Sequence, residues 1–230
     1  MKRFGVLMVV MLVLAAAVAG SRTPANGQSA GLLSSVLNKM ERNRQSLKSL
    51  RSGISMEKYN AQLRDSEKYN GVVSYVPGAG REASVRIEWR SPQHEILTVT
   101  NGKFVLFRPR LNMAYVGSSK SKNNKAGGVM EMIYMSRAQL ESRFQPVQDV
   151  REETLWGGVS TIHLTLVPKG NASFKYAEIW VDSSGMPVQT KIVEKNDDAT
   201  TMRLTGLEKN AKISADDFNQ KLDGIRIVKS

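Results

Sequence analysis

Three pairs of adjacent carboxylates are candidates for acid–base chemistry in this chain: Glu152-Glu153, Asp197-Asp198 and Asp216-Asp217. A glycosidase needs two carboxyl groups about 5–10 Å apart across one cleft. Neighbours along a strand point to opposite faces instead, and Ser214 is a natural cap for the turn that holds Asp216. The pattern therefore favours solvent-facing or capping roles, and no catalytic residue is predicted.

Nucleophilic and metal-based chemistry have little support in the composition. The 230 residues include no cysteine and only two histidines, His94 and His163. The lack of thiols excludes a cysteine nucleophile, a disulfide and a thiolate zinc site. Neither histidine has an evident acid or nucleophile partner in the sequence, and no P-loop or dinucleotide glycine motif occurs. The prediction is a protein that is not an enzyme and that uses no cofactor or metal ion.

The first 19 residues are typical of a cleavable signal peptide. Lys2 and Arg3 precede an apolar run over residues 6–18, which ends in the small-x-small site Ala17-Val18-Ala19. A membrane-spanning helix needs about 20 apolar residues, so an N-terminal anchor is the weaker alternative. An exported domain without disulfides is predicted to lie in the periplasm. That location argues against nucleic acid as the partner of a chain with a formal net charge of +12.

The periodicity of apolar residues changes along the rest of the chain. Residues 20–31 are small and polar and are predicted to form a disordered leader. From Leu32, apolar residues recur at helical spacing over about 15 residues. After that the period becomes two, as in β-strands. The predicted strands cover residues 50–56, 69–76, 83–89, 95–100, 103–108, 113–116, 147–154, 159–167, 176–182, 188–194, 201–207 and 225–228.

The order of these segments predicts a mainly β fold of the α+β type. About 10–12 strands follow one another without room for helical crossovers, so the sheet is predicted to be antiparallel. A sheet of this size must curl. The expected result is a curved half-barrel, covered by the N-terminal helix and by a mid-chain lid helix over residues 129–143. The predicted lid residues, which follow the glycine pair 127–128 and could instead be ordinary core, are Val129, Met130, Met132, Ile133 and Met135.

Several segments resemble the LolA-like periplasmic carriers of outer-membrane lipoproteins. One is a strand that runs into Arg90-Ser91-Pro92, and another is the Asn101-Gly102 turn with the strand that ends at Arg108-Pro109. Residues 69–73, 180–189, 213–218 and 225–228 resemble further hairpins and the tail of the family. The resemblance covers roughly residues 33–230, so residues 32–230 are predicted to be one carrier domain.

The resemblance implies a soluble carrier that is not an enzyme. Members of this family shield acyl chains in an open antiparallel half-barrel closed by helices. The implied partners are an acylated lipoprotein or lipid cargo, an inner-membrane ABC-type releasing complex and an outer-membrane acceptor, with no nucleic acid. The protein is expected to act as a monomer. The alternative is a module of the same fold that senses lipid or binds another lipid in the periplasm.

Strand alternation predicts which side chains line the apolar cavity. They are Val85, Ile87, Trp89, Leu97, Val99, Val105, Phe107, Ile162, Leu164, Leu166, Ile179 and Val181. The candidate latch for the lid is Arg90. In the family an arginine directly before the proline bonds the lid, whereas Ser91 holds that position here. Because Arg90 lies one residue earlier, its side chain is expected on the opposite face of the strand.

Overall fold

One open, curved sheet of twelve strands dominates the residues that the computed structural model describes, which are 25–78, 83–118, 135–147 and 149–229. The number of strands, and the alternation of buried and exposed residues along them, match the predicted half-barrel. The strands are β1 (Leu50–Asn60), β2 (Asp65–Val76), β3 (Ser84–Ser91), β4 (Glu95–Thr100), β5 (Lys103–Arg108), β6 (Met113–Ser118), β7 (Val150–Leu155), β8 (Val159–Leu166), β9 (Phe174–Asp182), β10 (Pro187–Glu194), β11 (Ala199–Lys209) and β12 (Arg226–Lys229).

The strand order is β12-β6-β5-β4-β3-β2-β1-β11-β10-β9-β8-β7. Strand β1 therefore separates two wings. The first wing contains β2–β6 and β12, and the second wing contains β7–β11. Neighbouring strands pair antiparallel, as predicted, except that β12 runs parallel to β6. That exception corrects the purely antiparallel prediction, and it arises because the C-terminal segment crosses the sheet before it joins the outer edge.

The hairpin between β4 and β5 shows how local sequence sets the register. Thr100 pairs with Lys103, so Asn101 and Gly102 alone form the turn. Both have a positive φ, of 50° and 71°. A two-residue turn of this kind matches the twist of the flanking strands and favours Asn-Gly. The predicted strands on either side of it are confirmed at both ends.

Helix α1 (Ala25–Ser46) begins earlier than the periodicity predicts. Residues 25–31 belong to the helix, so the predicted disordered leader is wrong for this part. The predicted signal peptide and residues 20–24 lie outside the described residues. Within the described ranges, no helix combines the length and the apolar character needed to cross a bilayer.

A second helix, α2 (Arg137–Arg143), forms the end of the predicted lid. Ser136 caps it, because its hydroxyl accepts a hydrogen bond from the Gln139 backbone N–H and the Gln139 side chain bonds back to the Ser136 N–H. Met135 precedes the helix and is buried. The other predicted lid residues, Val129, Met130, Met132 and Ile133, lie outside the described residues.

The two helices define the inner face of the sheet. Val36, Leu37 and Met40 of α1, together with Met135 and Leu140, pack in one cluster with aliphatic residues of β8 and β9. A second cluster continues across β1, β2, β3 and β11. Burial of a large aliphatic side chain stabilises a fold by about 1.5–3 kcal/mol. The hydrophobic core therefore lies on the concave side of the sheet.

The C-terminal end of α1 is tied to the turn between β9 and β10. Gly185 has a φ of +85°, and a Cβ atom at this position would lie 2.3 Å from the carbonyl carbon of Lys39. Lys209 donates from its Nζ to Asn43 Oδ1 and to Ser184 Oγ, each at 2.7 Å. The helix thus rests against the turn backbone, at a distance that only a glycine permits.

The C-terminal segment covers the outer face of the first wing. Ser214 caps a 3-10 turn over Ala215–Phe218, and Phe218 is buried. Farther on, Gln220 Nε2 donates to the carbonyl oxygens of Ile96 and Val105 and to Thr98 Oγ1, at 2.8–3.2 Å. The segment then joins the edge of the sheet as β12.

Candidate functional site

Most of the side chains predicted to line a cavity share the inner face. In the first wing, Val85 pairs with Val99 and Ile87 pairs with Leu97. Directly paired residues of neighbouring strands lie on the same face. The register of the remaining strand pairs places the following predicted residues together on the inner face: Val85, Ile87, Trp89, Leu97, Val99, Ile162, Leu164, Leu166, Ile179 and Val181.

Val105 and Phe107 lie on the outer face, which corrects the prediction for β5. Val105 pairs with Thr98, and Phe107 pairs with Ile96. The cause is the two-residue Asn101-Gly102 turn. Because of it, odd-numbered residues point inward on β4 and even-numbered residues point inward on β5. The inner positions belong to Phe104 and Leu106 instead, because these pair with Val99 and Leu97. Sequence reasoning missed both residues, although counting across the turn would have found them.

In the second wing, the inner face is closed by the helices. Leu164, Leu166, Ile179 and Val181 are each 0% exposed and pack beneath α1. Side chains packed this closely offer no surface of their own to a ligand unless the helices move. These four predicted cavity residues therefore belong to the core in this structure.

In the first wing, no described helix covers the inner face. We define the open wall as six half-buried apolar side chains on the inner side of β3–β6: Val85, Leu97, Val99, Phe104, Leu106 and Tyr115. Toward the centre of the sheet, Val73 and Ile87 are 0% and 1% exposed. The apolar surface thus passes from a filled centre to an accessible wing. A contiguous apolar surface of this kind is typical of a binding site.

Aromatic side chains of β2 and β3 border the open wall. The rings of Tyr69 and Trp89 meet edge to face with centroids 5.8 Å apart. The Tyr69 hydroxyl donates to Glu67 Oε2 at 2.7 Å. This hydrogen bond and partial burial raise the pKa of Tyr69 to about 12. The phenol is consequently neutral at physiological pH.

A charged pair interrupts the apolar surface beyond these rings. Glu95 pairs with Trp89 across the β3–β4 ladder, which puts Glu95 on the inner face. Arg108 alternates with Leu106 on β5 and therefore shares that face. The Arg108 Nε lies 2.7 Å from Glu95 Oε1. Sequence reasoning missed this pair, because it assigned β5 to the wrong face.

Arg90, the predicted latch, lies near the end of β3. It is exposed and falls in a bulge, because Trp89 pairs with Gly71 and Ser91 pairs with Asn70. Helix α2 is joined to α1 through Arg137. The Arg137 Nη1 donates to Asn38 Oδ1 at 3.1 Å, and the Arg137 backbone N–H donates to Glu41 Oε2 at 3.5 Å. The described contacts between the helices therefore centre on Glu41, and the role of Arg90 as a latch stays a prediction, because most of the predicted lid lies outside the described residues.

Glu41 accepts several hydrogen bonds, and they change its acidity. Arg44 Nη2 lies 2.5 Å and Gln45 Nε2 lies 2.9 Å from Glu41 Oε1. The hydrogen bonds from Arg44, assisted by Gln45 and Arg137 against the opposing effect of burial, lower the pKa of Glu41 from 4.5 to about 2. A lowered pKa means that the ionised carboxylate stabilises the fold above pH 4.5. This contribution is lost as the pH falls from about 4.5 to about 2.

Replacement of Glu41 by glutamine is expected to lower the free energy of unfolding by about 1 kcal/mol at pH 7, because solvent screens a partly exposed pair. The difference from the unmodified protein should shrink as the pH falls from 4.5 toward 2. Urea unfolding at several pH values measures this effect. Glu141→Gln is the matched control, since Glu141 contacts Arg137 in an exposed i,i+4 pair. A pH-independent loss in the Glu41 variant would contradict the prediction.

The carboxylate pairs named in the sequence have structural partners. Glu153 Oε1 accepts from the Trp180 indole at 2.9 Å, and Asp197 pairs with Lys175. Asp217 completes the Ser214 capping box. Glu152 is exposed, as are Asp197 and Asp216.

The histidines differ in their surroundings. His94 Nε2 lies 3.3 Å from Glu88 Oε1. His163 is on the outer face, yet it is fully buried beside Trp180, with Nε2 3.1 Å from Glu178 Oε1. Within the described part of the chain, no group of three or more histidine or acidic side chains is arranged to hold a metal ion.

Comparison with known proteins gives one family and a set of similar folds. The family described as outer membrane lipoprotein carrier protein LolA matches residues 79–221, which is more than half of the chain. No curated protein matches the chain. The fold is similar to a chain of the MucA/MucB complex of Pseudomonas aeruginosa, with 13% identity, a TM-score of 0.51 and coverage of 85% of this chain and 62% of that chain.

A further similar structure is an uncharacterized conserved protein from Thermus thermophilus. It has 10% identity and a TM-score of 0.55, and the match covers 86% of this chain and 99% of that chain. At these identities the likeness shows a shared fold. The present chain spans 62% of the length of the Pseudomonas aeruginosa chain that it matches.

Proposed function

Because this chain belongs to the family of outer membrane lipoprotein carrier proteins LolA, we propose that it is a periplasmic carrier that shields the acyl chains of a lipoprotein between the inner and outer membranes. The observation that supports this proposal is the open wall on the inner face of β3–β6. Its apolar side chains are accessible, whereas the equivalent face of the second wing is filled.

Burial of a hydrocarbon chain is a sufficient driving force for such a carrier. Each buried methylene contributes about 0.8 kcal/mol, so one 16-carbon chain exposed to water carries roughly 12 kcal/mol of unfavourable free energy. No bond is made or broken in this process, and the proposed activity is therefore binding and release. The chain is proposed to act without a cofactor and as a monomer.

Transfer requires a donor and an acceptor on the two sides of the periplasm. In the proposal, an inner-membrane ABC-type complex releases the cargo to the open wall, and an outer-membrane acceptor receives it. The apolar run and small-x-small site at the N-terminus support export to this compartment. The predicted lid residues before Met135 are proposed to cover the bound chains.

Native mass spectrometry of the protein purified from its own periplasm tests the carrier function. The expected result is a co-purified acylated ligand. A second measurement incubates the protein with membranes that contain labelled lipoprotein and follows the label into the soluble fraction. Protein that is consistently empty and that also fails to extract label would overturn the proposal.

A second candidate is a module that senses lipid and binds a regulatory protein. It is favoured by one observation, which is the similarity to a chain in the MucA/MucB complex. Under this alternative, the open wall binds lipid but does not release it to an acceptor. Extraction of labelled lipoprotein without onward transfer to outer-membrane vesicles would support the sensor over the carrier.

A further inference from the structure

The Glu95–Arg108 pair lies where the apolar surface of the first wing ends. On β5, the inner positions run from Phe104 through Leu106 to Arg108. A strand rises about 3.4 Å per residue, so the inner apolar surface extends about 14 Å before it reaches the guanidinium. Arg108 therefore stands at one end of an elongated apolar strip rather than in the middle of it.

The guanidinium of Arg108 is held in place but is not saturated with hydrogen bonds. Its Nε lies 2.7 Å from Glu95 Oε1 in an ion pair without hydrogen-bond geometry, and its Cζ lies over the Tyr115 ring, 5.3 Å from the ring centroid. Among the described residues, its two Nη groups have no hydrogen-bond partner. An arginine has five N–H donors, so, among the described residues, the Nη edge of this guanidinium is left available for an oxyanion.

Partial burial of the Arg108 guanidinium also favours a ligand at its Nη groups. The side chains of Arg108 and Glu95 are 36% and 19% exposed. A guanidinium that is partly removed from water gains more from an oxyanion than one on an open surface, because the local dielectric is lower. Arginine also binds phosphate and carboxylate through two parallel hydrogen bonds.

We propose that Arg108 is a subsite for the anionic head group of an acylated lipid whose chains lie along the open wall. This inference rests on the binding of acyl chains at the open wall, and it extends the ligand class beyond lipoproteins, whose acyl groups carry no phosphate, to lipids with an anionic head group. The apolar strip holds the hydrocarbon, and the free Nη edge binds a phosphate oxygen at its end. Glu95 is a positioning residue, because its carboxylate contacts the guanidinium at Nε and not at the two Nη groups.

Titration calorimetry with two short-chain lipids tests this assignment. One is a phosphatidylglycerol, and the other is the diacylglycerol with the same acyl chains, which has no phosphate. The unmodified protein is expected to bind the phosphatidylglycerol roughly tenfold more tightly, as for one hydrogen-bonded charged contact. Arg108→Gln should remove this preference and leave diacylglycerol binding unchanged.

Two further variants separate head-group recognition from a structural effect. Arg108→Lys keeps the charge but loses the paired N–H donors of the guanidinium, and should retain part of the preference. Arg110→Gln is the matched control, because Arg110 is exposed on the adjacent 3-10 turn and should leave the preference intact. Equal weakening of both lipids by Arg108→Gln would indicate a structural role only and would overturn the proposal.

The remaining outcomes distinguish this inference from the carrier function. If the unmodified protein binds both lipids equally, the open wall remains a binding site and the subsite is refuted. If it binds neither lipid, the subsite is refuted, and extraction of labelled lipoprotein then decides the carrier function separately. Millimolar inorganic phosphate is expected to leave phosphatidylglycerol binding unchanged. Competition by phosphate that disappears in Arg108→Gln would identify a free-anion site in place of the head-group subsite.

Discussion

Substitution of Leu97 and Leu106 by glutamine together is expected to lower lipid affinity about 100-fold, which corresponds to roughly 3 kcal/mol. These leucines pair across β4 and β5 and form the middle of the open wall. Each change removes apolar contact with an acyl chain and places an unpaired amide against it, at a cost of about 1–3 kcal/mol. Calorimetry with a short-chain lipid, or extraction of labelled lipoprotein, measures the loss.

The control for this variant exchanges two exposed leucines in the same way. Leu63 and Leu111 are 73% and 57% exposed in turns, so Leu63→Gln with Leu111→Gln should leave lipid affinity within about twofold, as is usual for surface changes. Thermal unfolding confirms that both double variants are folded. A folded wall variant with unchanged affinity would mean that lipid binds elsewhere.

Replacement of Gly185 by alanine should destabilise the protein by about 3 kcal/mol, or roughly 10 °C in the melting temperature. Two effects add at this position. Its φ of +85° is strained for any residue with a Cβ atom, and the Cβ would lie 2.3 Å from both the carbonyl carbon and the oxygen of Lys39. Since the obstacle is helix backbone, α1 must move away from the turn. Thermal and urea unfolding measure the change.

Gly157 separates the two effects. It has a similar φ of +86° in the β7–β8 turn, but nothing lies within 4 Å of a Cβ at this position. Gly157→Ala should therefore show only the conformational cost, about 1 kcal/mol. Equal melting temperatures for the two alanine variants would show that the contact between α1 and the turn contributes nothing to stability.

The strands were predictable because their signals are local. The ends of β4 and β5 follow from alternating apolar residues on either side of Asn101-Gly102. The face of β5 follows from the same turn once its two residues are counted, since Thr100 and Lys103 form the closing pair. The wrong prediction for Val105 and Phe107 therefore reflects a missed parity change, and the information was present in the sequence.

The division into a filled and an open wing was not predictable from strand patterns. Ile179 and Leu97 have the same alternating environment in sequence, but only Ile179 lies beneath α1. The docking of α1 depends on tertiary contacts such as Lys209 to Asn43. The burial of His163 has the same origin, because Trp180 and Glu178 reach it from the neighbouring strand. Apolar periodicity identifies a face but does not show what covers it.

The two outermost strands affect how molecules of this protein behave toward one another. Strand β12 has only four residues, Arg226–Lys229, and begins and ends with a cation. Strand β7 has exposed charged side chains at Arg151 and Glu152. A short or charged border gives a second copy little backbone to pair with. Copies that accumulate at high concentration are consequently expected to stay apart in solution rather than to assemble into fibres through strand addition.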